Sequence, residues 1–488
     1  MRWFELKVGY VDSSPQPMKL FSWQCPIALT LFSFLAASAS WAQIAPDTTL
    51  PNNAIVSPNG NTFTIDGGTQ AGTNLFHSFQ DFSIPTGTEA FFNNATDIQT
   101  IFSRVTGSNL SNIDGIIRAN GSASLFLLNP NGLVFGPNAQ LNIGGSFFGS
   151  TAESIQFADG FEFSAINPAT PSLLTVSIPI GLQLGANPGA ISVAGSGHRL
   201  ARGAFTPANR ANNPVGLRVT TGETLALVGG EMTLNGGVLT AESGRIELAS
   251  ATGGTVTWNP ASPSQEWDYS NVQGFGDMRL VQQALVDTSG SPSGSIRLQG
   301  RNISLNEGSV ALIENTGQQA SGDLSVRAIE SLTVGGAGPY GFPHSLLNSE
   351  NLAGGLGGNL TVDTQQLLLR DGGGIVARNF GAGSGGDIAI VADRSIEMVG
   401  FSPIDPVLNS SIIPVTSGTG NAGNATVSTG QLWIRGGASI GNITQGTGAG
   451  GNLSVRASGF ISVRGRQPST LSPSVIAATS FNRGDAGE

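Results

Sequence analysis

Three histidines are the side chains best suited to acid–base or metal chemistry, and their positions do not predict a site. His77, His198 and His344 lie far apart, and no H-x-x-x-H or C-x-x-C spacing is present. Acidic residues are sparse and mostly occur in turn sequences, although two adjacent turns of a repeated structure could bring a pair of carboxylates together. We therefore expect no catalytic, cofactor-binding or metal-binding residues and no enzyme activity. His77 lies among aromatic residues and is expected to be a packed structural histidine.

Aspartate and asparagine recur in a glycine-rich phrase that could either bind calcium or form turns. Gly385-Gly386-Asp387-Ile388 resembles the Gly-Gly-x-Gly-x-Asp calcium repeat, in which nonapeptides stack ligands at every turn. The Asx residues of this chain are 28 to 37 positions apart, so we predict stacked Asx turns and no bound calcium. Arg483-Gly484-Asp485 has the sequence of an integrin-binding tripeptide, but it lies where the repeat requires a corner, which favours a structural role.

The recurring phrase consists of a small residue, a glycine, an Asx residue and an alternating apolar strand. Its clearest copies are 321–326, 357–362, 385–390, 422–427 and 450–455. The Asx positions 323, 359, 387, 424 and 452 step by 36, 28, 37 and 28, so the repeat has two parts and a period of 64 to 65 positions. A fixed period indicates a solenoid or a propeller, because one such unit cannot bury its apolar face alone. Variable unit lengths and Gly-rich corners favour a parallel β-helix.

We therefore predict an all-β fold: a right-handed parallel β-helix (solenoid) with an N-terminal cap and extra-helical loops. A rung of roughly 20–25 residues would give about 18 rungs and a rod on the order of 85 Å, at about 4.8 Å per rung. Residues 43–75 are the candidate cap. Four irregular stretches are predicted to protrude from the rod: 186–216, 257–275, 336–354 and 400–415.

Composition supports this fold class and limits the range of partners. Glycine accounts for 69 of the 488 residues, whereas charged residues make up only 11%. Glycine costs about 1 kcal/mol per helix-interior site relative to alanine, so helices are disfavoured. The formal net charge is −10, and no lysine follows Lys19. Such a surface offers no electrostatic footprint for nucleic acid or anionic lipid, so we expect no nucleic-acid partner.

The N-terminus has the three parts of a secretory signal peptide. Arg2, Lys7 and Lys19 precede an apolar run at 27–37, which is followed by Ser40-Trp41-Ala42. The apolar run is short for a membrane span, so a signal peptide over residues 1–42 is favoured over a membrane anchor. Met18 is an alternative start. The only cysteine, Cys25, would leave with this segment, so the mature chain would contain no disulfide.

A series of ordered phrases in the first third of the chain carries a family resemblance. They are FHSFQDF (76–82), FNN (92–94), IFSRVTG (101–107), IDG (113–115), ASLFLLNPNGLVFG (123–136) and GGSFFGSTA (144–152). With these phrases, residues 43 to about 168 resemble the filamentous-haemagglutinin-type N-terminal domain of two-partner secretion proteins, in a version common in cyanobacteria.

Within the fifth phrase, Asn129-Pro130-Asn131-Gly132 fits a type I turn between two apolar strands. Taken alone, this tetrapeptide would be an ordinary β-helix corner. The resemblance implies a further role for Asn129, Pro130, Asn131 and Gly132, because in the family this domain is the secretion signal and the NPNG turn is one of its signature elements. The companion NPNL motif is absent, so the transporter subtype stays open.

The resemblance also implies a route and a partner. Export would proceed by the general secretory route to the periplasm, where the POTRA domains of an outer-membrane β-barrel transporter would recognise the chain. The product would be secreted or held at the outer cell surface, with the β-helix as an adhesin-like or structural rod that binds a surface glycan or a host- or neighbour-cell receptor. Two alternatives stay open: a secreted β-helical enzyme acting on polysaccharides, and an autotransporter passenger.

These inferences divide the chain into four parts. They are a signal peptide (1–42), a two-partner secretion domain (43–168), a β-helix continuation with protruding loops (169–289) and β-helix repeats (290–488). The repeat phrase is interrupted at Glu488, so we expect the β-helix to continue in a longer protein.

Overall fold

The computed structural model describes residues 43–168, 174–201, 206–259, 266–339 and 344–487, which belong to one compact unit. The predicted signal peptide, with Cys25, lies outside the described residues. Every regular element in the described ranges is a β-strand, so these ranges contain no helix long and apolar enough to cross a membrane.

The described chain folds into 37 strands, most of them short in the first half and longer in the second. The first thirteen are β1 (Ile44–Pro46), β2 (Ala54–Asn59), β3 (Thr62–Gly67), β4 (Thr69–Ala71), β5 (Asn74–Phe82), β6 (Glu89–Phe92), β7 (Thr100–Val105), β8 (Ser111–Ile113), β9 (Ile116–Ala119), β10 (Ser124–Leu128), β11 (Leu133–Phe135), β12 (Gln140–Asn142) and β13 (Phe147–Ser150). The next twelve are β14 (Ser154–Phe157), β15 (Glu162–Ser164), β16 (Pro179–Leu184), β17 (Ile191–Ala194), β18 (Leu217–Arg218), β19 (Thr224–Gly229), β20 (Met232–Asn235), β21 (Val238–Thr240), β22 (Arg245–Trp258), β23 (Trp267–Phe275), β24 (Met278–Val281) and β25 (Leu285–Asp287). The last twelve alternate in length: β26 (Ser295–Asn306), β27 (Val310–Asn315), β28 (Leu324–Gly335), β29 (Leu346–Asn351), β30 (Leu360–Arg370), β31 (Gly374–Asn379), β32 (Ile388–Val399), β33 (Ser411–Thr416), β34 (Ala425–Arg435), β35 (Ser439–Thr444), β36 (Leu453–Arg464) and β37 (Val475–Ser480).

Each rung of the solenoid contributes to three faces. Face 1 contains β5, β7, β10, β13, β19 and the first part of β22, and face 2 contains β8, β11, β17, β20 and β24. Face 3 contains β6, β9 and β12, then β18, β21 and β25. From β26 onward one long strand serves faces 1 and 2, and a short strand serves face 3. Pairing between rungs is parallel throughout, which confirms the predicted parallel β-helix.

The register of face 1 gives the rung length in the repeats. Leu324 is in register with Leu360, and the series continues through Ile388, Ala425 and Leu453. Each step of 28, 36 or 37 positions is therefore one complete rung, and the rungs are longer than the sequence analysis expected for this region. Face 1 has twelve strands in the described residues: β5, β7, β10, β13, β19, β22, β26, β28, β30, β32, β34 and β36. At about 4.8 Å per rung they span about 55 Å, so the expected rod of about 85 Å is wrong for the described chain.

The long rungs differ from the short ones by a loop inserted between faces 2 and 3. These loops are 336–345 (of which 340–343 lie outside the described residues), 400–410 and 465–474, and they occur in every second rung. An antiparallel bridge closes each loop, as between Phe401 and Asn409. The protrusions predicted at 336–354 and 400–415 are therefore confirmed with narrower bounds, because their last residues belong to β29 and β33.

The two other predicted protrusions have different structures. Residues 191–194 of the stretch 186–216 form β17 of face 2, and only the part that follows leaves the rung. In the stretch 257–275 the described residues are mostly strand, because the second part of β22 pairs antiparallel with β23; residues 260–265 lie outside the described ranges. These two segments join β14, β15 and β16 in a five-stranded antiparallel sheet, which we call the cover sheet.

The cover sheet lies on the outside of face 1 and buries a column of aromatic rings. Phe76, Phe102, Phe126 and Phe148 occupy equivalent positions on successive rungs, with ring centroids 5.0, 5.1 and 4.2 Å apart. Phe163 of β15 packs edge-on against Phe76. Burial of this many rings removes a large apolar area from water, and offset or edge contacts add to that gain. The cover sheet is therefore part of the core.

The corners of the repeats stack on one another through glycine and Asx residues. A Cβ placed on Gly386 would lie 1.9 Å from the carbonyl oxygen of Gly358 on the preceding rung, so only glycine fits there. Next to this column, the Asp387 amide donates to Asn359 Oδ1 (3.0 Å), and the Asn424 amide donates to Asp387 Oδ1 (2.7 Å). The predicted stacking of the Asx residues is confirmed, with side-chain hydrogen bonds that run from one rung to the next. Gly484 of the Arg-Gly-Asp sequence belongs to another such column.

The first rung is closed by strands that precede it. β1 and β4 pair antiparallel with β5, and the β2–β3 hairpin places β3 parallel to β6 on face 3. An unpaired first edge would be open to pairing with other chains, which these strands prevent. The predicted N-terminal cap is confirmed.

Candidate functional site

The Asn129–Gly132 segment is the corner between β10 on face 1 and β11 on face 2. The Gly132 amide donates to the Asn129 carbonyl (3.1 Å), which closes the turn, and Gly132 adopts a φ of +138° that favours glycine. The corner lies between two others. Ser111 donates its amide to the Gly132 carbonyl on one side, and Gly189 donates its amide to the Pro130 carbonyl on the other.

Asn129 is fully buried and its amide group is used inside the protein. Its Nδ2 donates to the Asn109 carbonyl and to Ser111 Oγ, both at 3.0 Å, and its Oδ1 accepts the Asn131 amide at 3.0 Å. A buried amide with these partners fixes the corner, and its loss would leave several polar groups unpaired. Asn131 is exposed and Pro130 is half-buried. The corner therefore presents Asn131 and Pro130 to solvent. Asn129 and Gly132 hold its shape, and Asn131 Nδ2 adds hydrogen bonds to the Gly107 carbonyl (2.8 Å) and to Asn129 Oδ1 (3.0 Å).

A buried arginine links the cap, the first two rungs and the cover sheet. Arg104 of β7 is 2% exposed, and its guanidinium donates to Ser78 Oγ (2.9 Å), Thr49 Oγ1 (3.0 Å) and the Ser164 carbonyl (2.7 Å). The guanidinium also lies 4.4 Å from the centre of the Phe163 ring. Burial lowers the pKa of Arg104 to about 10, although the Asp47 carboxylate acts against this, so the side chain stays charged at neutral pH.

Asp47 is the anionic partner of this cluster. Its Oδ2 accepts hydrogen bonds from Ser78 Oγ (2.7 Å) and Thr106 Oγ1 (2.6 Å), and its Oδ1 accepts one from Thr49 Oγ1 (2.7 Å). Burial raises the pKa of Asp47, but these hydrogen bonds outweigh it and leave the pKa below its ordinary value. Sequence reasoning missed this cluster, and its one signal was an arginine inside the apolar strand at 101–105.

The three histidines lie at separate places. His77 of β5 is 1% exposed beside Phe79 and Phe92, with ring centroids 6.0 and 5.4 Å away, which confirms a packed structural histidine. Burial lowers its pKa to about 4. His198 follows β17, and burial lowers its pKa to about 4 as well. Among the described residues, no group of three or more His, Cys, Asp or Glu is placed to hold a metal ion.

The sequence left open whether adjacent rungs bring carboxylates together, and on face 3 they do. Arg210 lies between two of them, with its Nη1 3.2 Å from Asp287 Oδ2 and its Nε 3.4 Å from Glu314 Oε1. Burial and the neighbouring Glu350 raise the pKa of Glu314 to about 7, although Arg210 acts in the opposite direction. The carboxylates are thus occupied by an internal ion pair.

Comparison with known proteins places this fold in a family. A family model described as the TPS secretion domain matches residues 42–298, more than half of the chain. The chain belongs to the TPS secretion domain family. The matched TPS domain extends past residue 168, the end predicted for this domain from the sequence, and includes the NPNG corner, the Arg104 cluster and the cover sheet.

Proteins similar to this chain include a protein matched by sequence and secretion domains of known structure. The heme/hemopexin-binding protein of Haemophilus influenzae is 37% identical over 94 residues, which are 19% of this chain and 10% of that protein. The chain thus matches about a tenth of that relative's length. The crystal structure of the HMW1 secretion domain from Haemophilus influenzae has 18% identity and a TM-score of 0.46, with 87% of this chain and 99% of that chain covered. The filamentous hemagglutinin secretion domain has 12% identity and a TM-score of 0.35, with 72% and 95% covered.

Proposed function

We propose that this chain is an exoprotein exported by two-partner secretion, with the TPS domain as the signal that the transporter recognises. The observation that carries the proposal is the family match over residues 42–298, a region that forms one cap, six rungs and the cover sheet. The partner is an outer-membrane β-barrel transporter with periplasmic POTRA domains. Residues 1–42 act as the signal peptide that brings the chain to the periplasm, and the mature protein is secreted or held at the outer surface.

Within the NPNG corner, Asn131 and Pro130 are the residues that contact the transporter. Both reach the surface, whereas Asn129 and Gly132 are buried and serve the shape of the turn. This division of roles makes the motif partly structural and partly a recognition element. The version of the domain is the one found in cyanobacteria, as the sequence phrases suggest.

The repeats form the part of the exoprotein that is displayed, as an adhesin-like or structural rod without enzyme activity. Support comes from the uncovered outer surface of face 1 beyond β26 and from the face 3 carboxylates, which Arg210 already occupies. A glycan or a receptor on another cell is the kind of ligand such a rod would bind. The solenoid can fold rung by rung as it leaves the transporter, since its contacts join neighbours.

Export of variants tests the proposal. The full chain would be produced with its transporter in a Gram-negative host, and the exported fraction measured for Asn131→Ala and for Asn271→Ala, a control that changes an exposed asparagine of the cover sheet. We expect export to fall for Asn131→Ala and to stay normal for the control, with both variants folded. Deletion of residues 43–168 should abolish export. Normal export of that deletion would contradict the recognition role of the TPS domain.

A further inference from the structure

One segment leaves the rung of β17 and lies along face 3 of rungs whose residues come much later in the sequence. This strap consists of residues 195–201 and 206–216, which lead from β17 to β18. Its first part runs toward β25 and β27. His198 donates its amide to the Gln283 carbonyl (2.8 Å), and its Nε2 lies 2.8 Å from the Gly308 carbonyl oxygen, with Nδ1 accepting the Leu200 amide. His198 Nε2 is therefore the donor to Gly308.

The second part of the strap reaches farther, to the rung of β29. The Ala208 amide donates to Glu350 Oε2 (2.8 Å), across 142 residues of sequence. Arg210 forms ion pairs with Asp287 of β25 and Glu314 of β27. Both carboxylates are nearly buried, with 4% and 6% of their side chains exposed, so each depends on the strap for a counter-charge.

The strap also packs against apolar side chains on face 3. The outer surface of face 3 carries a row of apolar side chains that Leu200 and Ala208 cover: Val238, Leu285, Val310, Leu312, Leu346 and Val376. Leu200 itself is 7% exposed. The row spans five rungs, from β21 of the TPS domain to β31, so the strap closes over a surface that no single rung supplies.

The inserted loops of the repeats differ from the strap in reach. Loop 336–345 contacts the corner of the preceding rung, where Ser345 Oγ accepts the Gly308 amide at 3.0 Å. Loop 400–410 likewise lies against Gly372. Those loops can dock as soon as their own rung is formed. The strap cannot, because Gly308, Glu314 and Glu350 come far later in the sequence and lie beyond the matched TPS domain.

We propose that the strap is a latch, which closes only after the rungs of β27 and β29 have folded and then locks the TPS domain to the repeats. Contacts in a solenoid are otherwise mostly between neighbouring rungs, so a rung that opens affects the next rung directly and those beyond it only indirectly. A closed latch couples the end of the TPS domain to the rungs that follow it. The coupling is a property of the folded chain and does not depend on the proposed transporter.

Pulsed thiol labelling during refolding tests the order of closure. In the full chain carrying Cys25→Ser, single substitutions would place a thiol in the strap (Leu200→Cys), in β19 (Leu227→Cys) or in β29 (Leu347→Cys). We expect the Leu200→Cys thiol to become protected no earlier than the Leu347→Cys thiol, whatever the time course at Leu227→Cys. Protection of the strap before β29 would overturn the proposal.

Labelling of the native chain tests the contacts themselves. Glu350→Ala removes the acceptor for Ala208, and Glu397→Ala, which removes an exposed ion pair with Arg435, is the matched control. We expect labelling of the Leu200→Cys thiol to accelerate about tenfold in Glu350→Ala and in Arg210→Gln and to stay unchanged in Glu397→Ala, since local opening scales with the lost contact. The Leu227→Cys thiol should be unaffected. An unchanged rate at Leu200→Cys in both Glu350→Ala and Arg210→Gln would contradict the latch.

Discussion

In the TPS domain the outer surface of face 1 is covered by five antiparallel strands, whereas in the repeats the same surface is exposed. The first region joins its rungs through contacts that occur once: a column of phenylalanines, the Arg104 cluster and the cap. The second joins them through repeated columns, with glycine above glycine and Asx above Asx at the corner between faces 3 and 1. The TPS domain is thus specified by unique long-range contacts and the repeats by a local pattern.

The largest expected effect lies in the Arg104 cluster. Arg104→Met leaves Asp47 without its cation and Thr49 and Ser78 with lost partners, so we expect a loss of about 3–5 kcal/mol in the free energy of unfolding of the TPS domain. Arg327→Met, which removes an exposed pair with Asp363, should cost less than about 1 kcal/mol. Denaturant unfolding followed by Trp258 and Trp267 fluorescence, in a background in which Trp3, Trp23, Trp41 and Trp433 are replaced by Phe, would report the TPS domain. Equal losses for both variants would refute the role of the cluster.

The second effect is a loss of stability in acid to which the buried His77 of the TPS domain contributes. The pKa of His77 is about 4 in the folded chain and near 6.5 when unfolded. The unfolded state therefore binds a proton that the folded state excludes, and stability falls as the pH decreases from about 6.5 to 4, by up to about 3 kcal/mol. His77→Leu should remove this part of the acid loss. No histidine follows His344, so the later repeats should lack this dependence. Trp433 fluorescence would report whether they unfold in the same pH range.

The third effect is steric and belongs to the repeats. Gly386→Ala would force a Cβ against the Gly358 carbonyl oxygen, and we expect a loss of about 2–3 kcal/mol because the stacked corner must separate. Gly400→Ala is the control, since it has a φ of +68° and no atom within 4 Å of the added Cβ. That variant should lose only about 1 kcal/mol, the cost of the left-handed conformation. A larger loss for Gly400→Ala would mean that backbone conformation, not stacking, makes glycine necessary.

The difference between the TPS domain and the repeats also explains which features could be predicted from the sequence. The fold of the repeats was predictable, because the phrase around Asp387 recurs at a fixed period and each copy of the phrase marks one rung. The rung length of the repeats was harder to predict from the sequence, because loops such as 400–410 lengthen every second rung. The Arg104 cluster and the cover sheet could not be predicted, because residues 47, 104 and 164 meet only in three dimensions. In the NPNG corner, the turn followed from its residue types, but the burial of Asn129 depends on the two neighbouring corners.

The smallest effect concerns the Asx ladder, and it separates a hydrogen-bonded turn from a calcium site. Asp387→Ala removes the acceptor for the Asn424 amide and should cost about 1 kcal/mol, whereas Asp387→Asn keeps an acceptor at the same place and should cost little. Both variants would be compared in urea, with Trp433 as the probe and with calcium or a chelator present. Neighbouring rungs already carry asparagine at the equivalent positions 359 and 424, so a neutral side chain suffices for the ladder. If calcium stabilised the parent chain and not Asp387→Asn, the carboxylate would be a ligand and the ladder would need reinterpretation. If calcium had no effect on any of them, the hydrogen bond from one rung to the next would account for every Asx residue in the column.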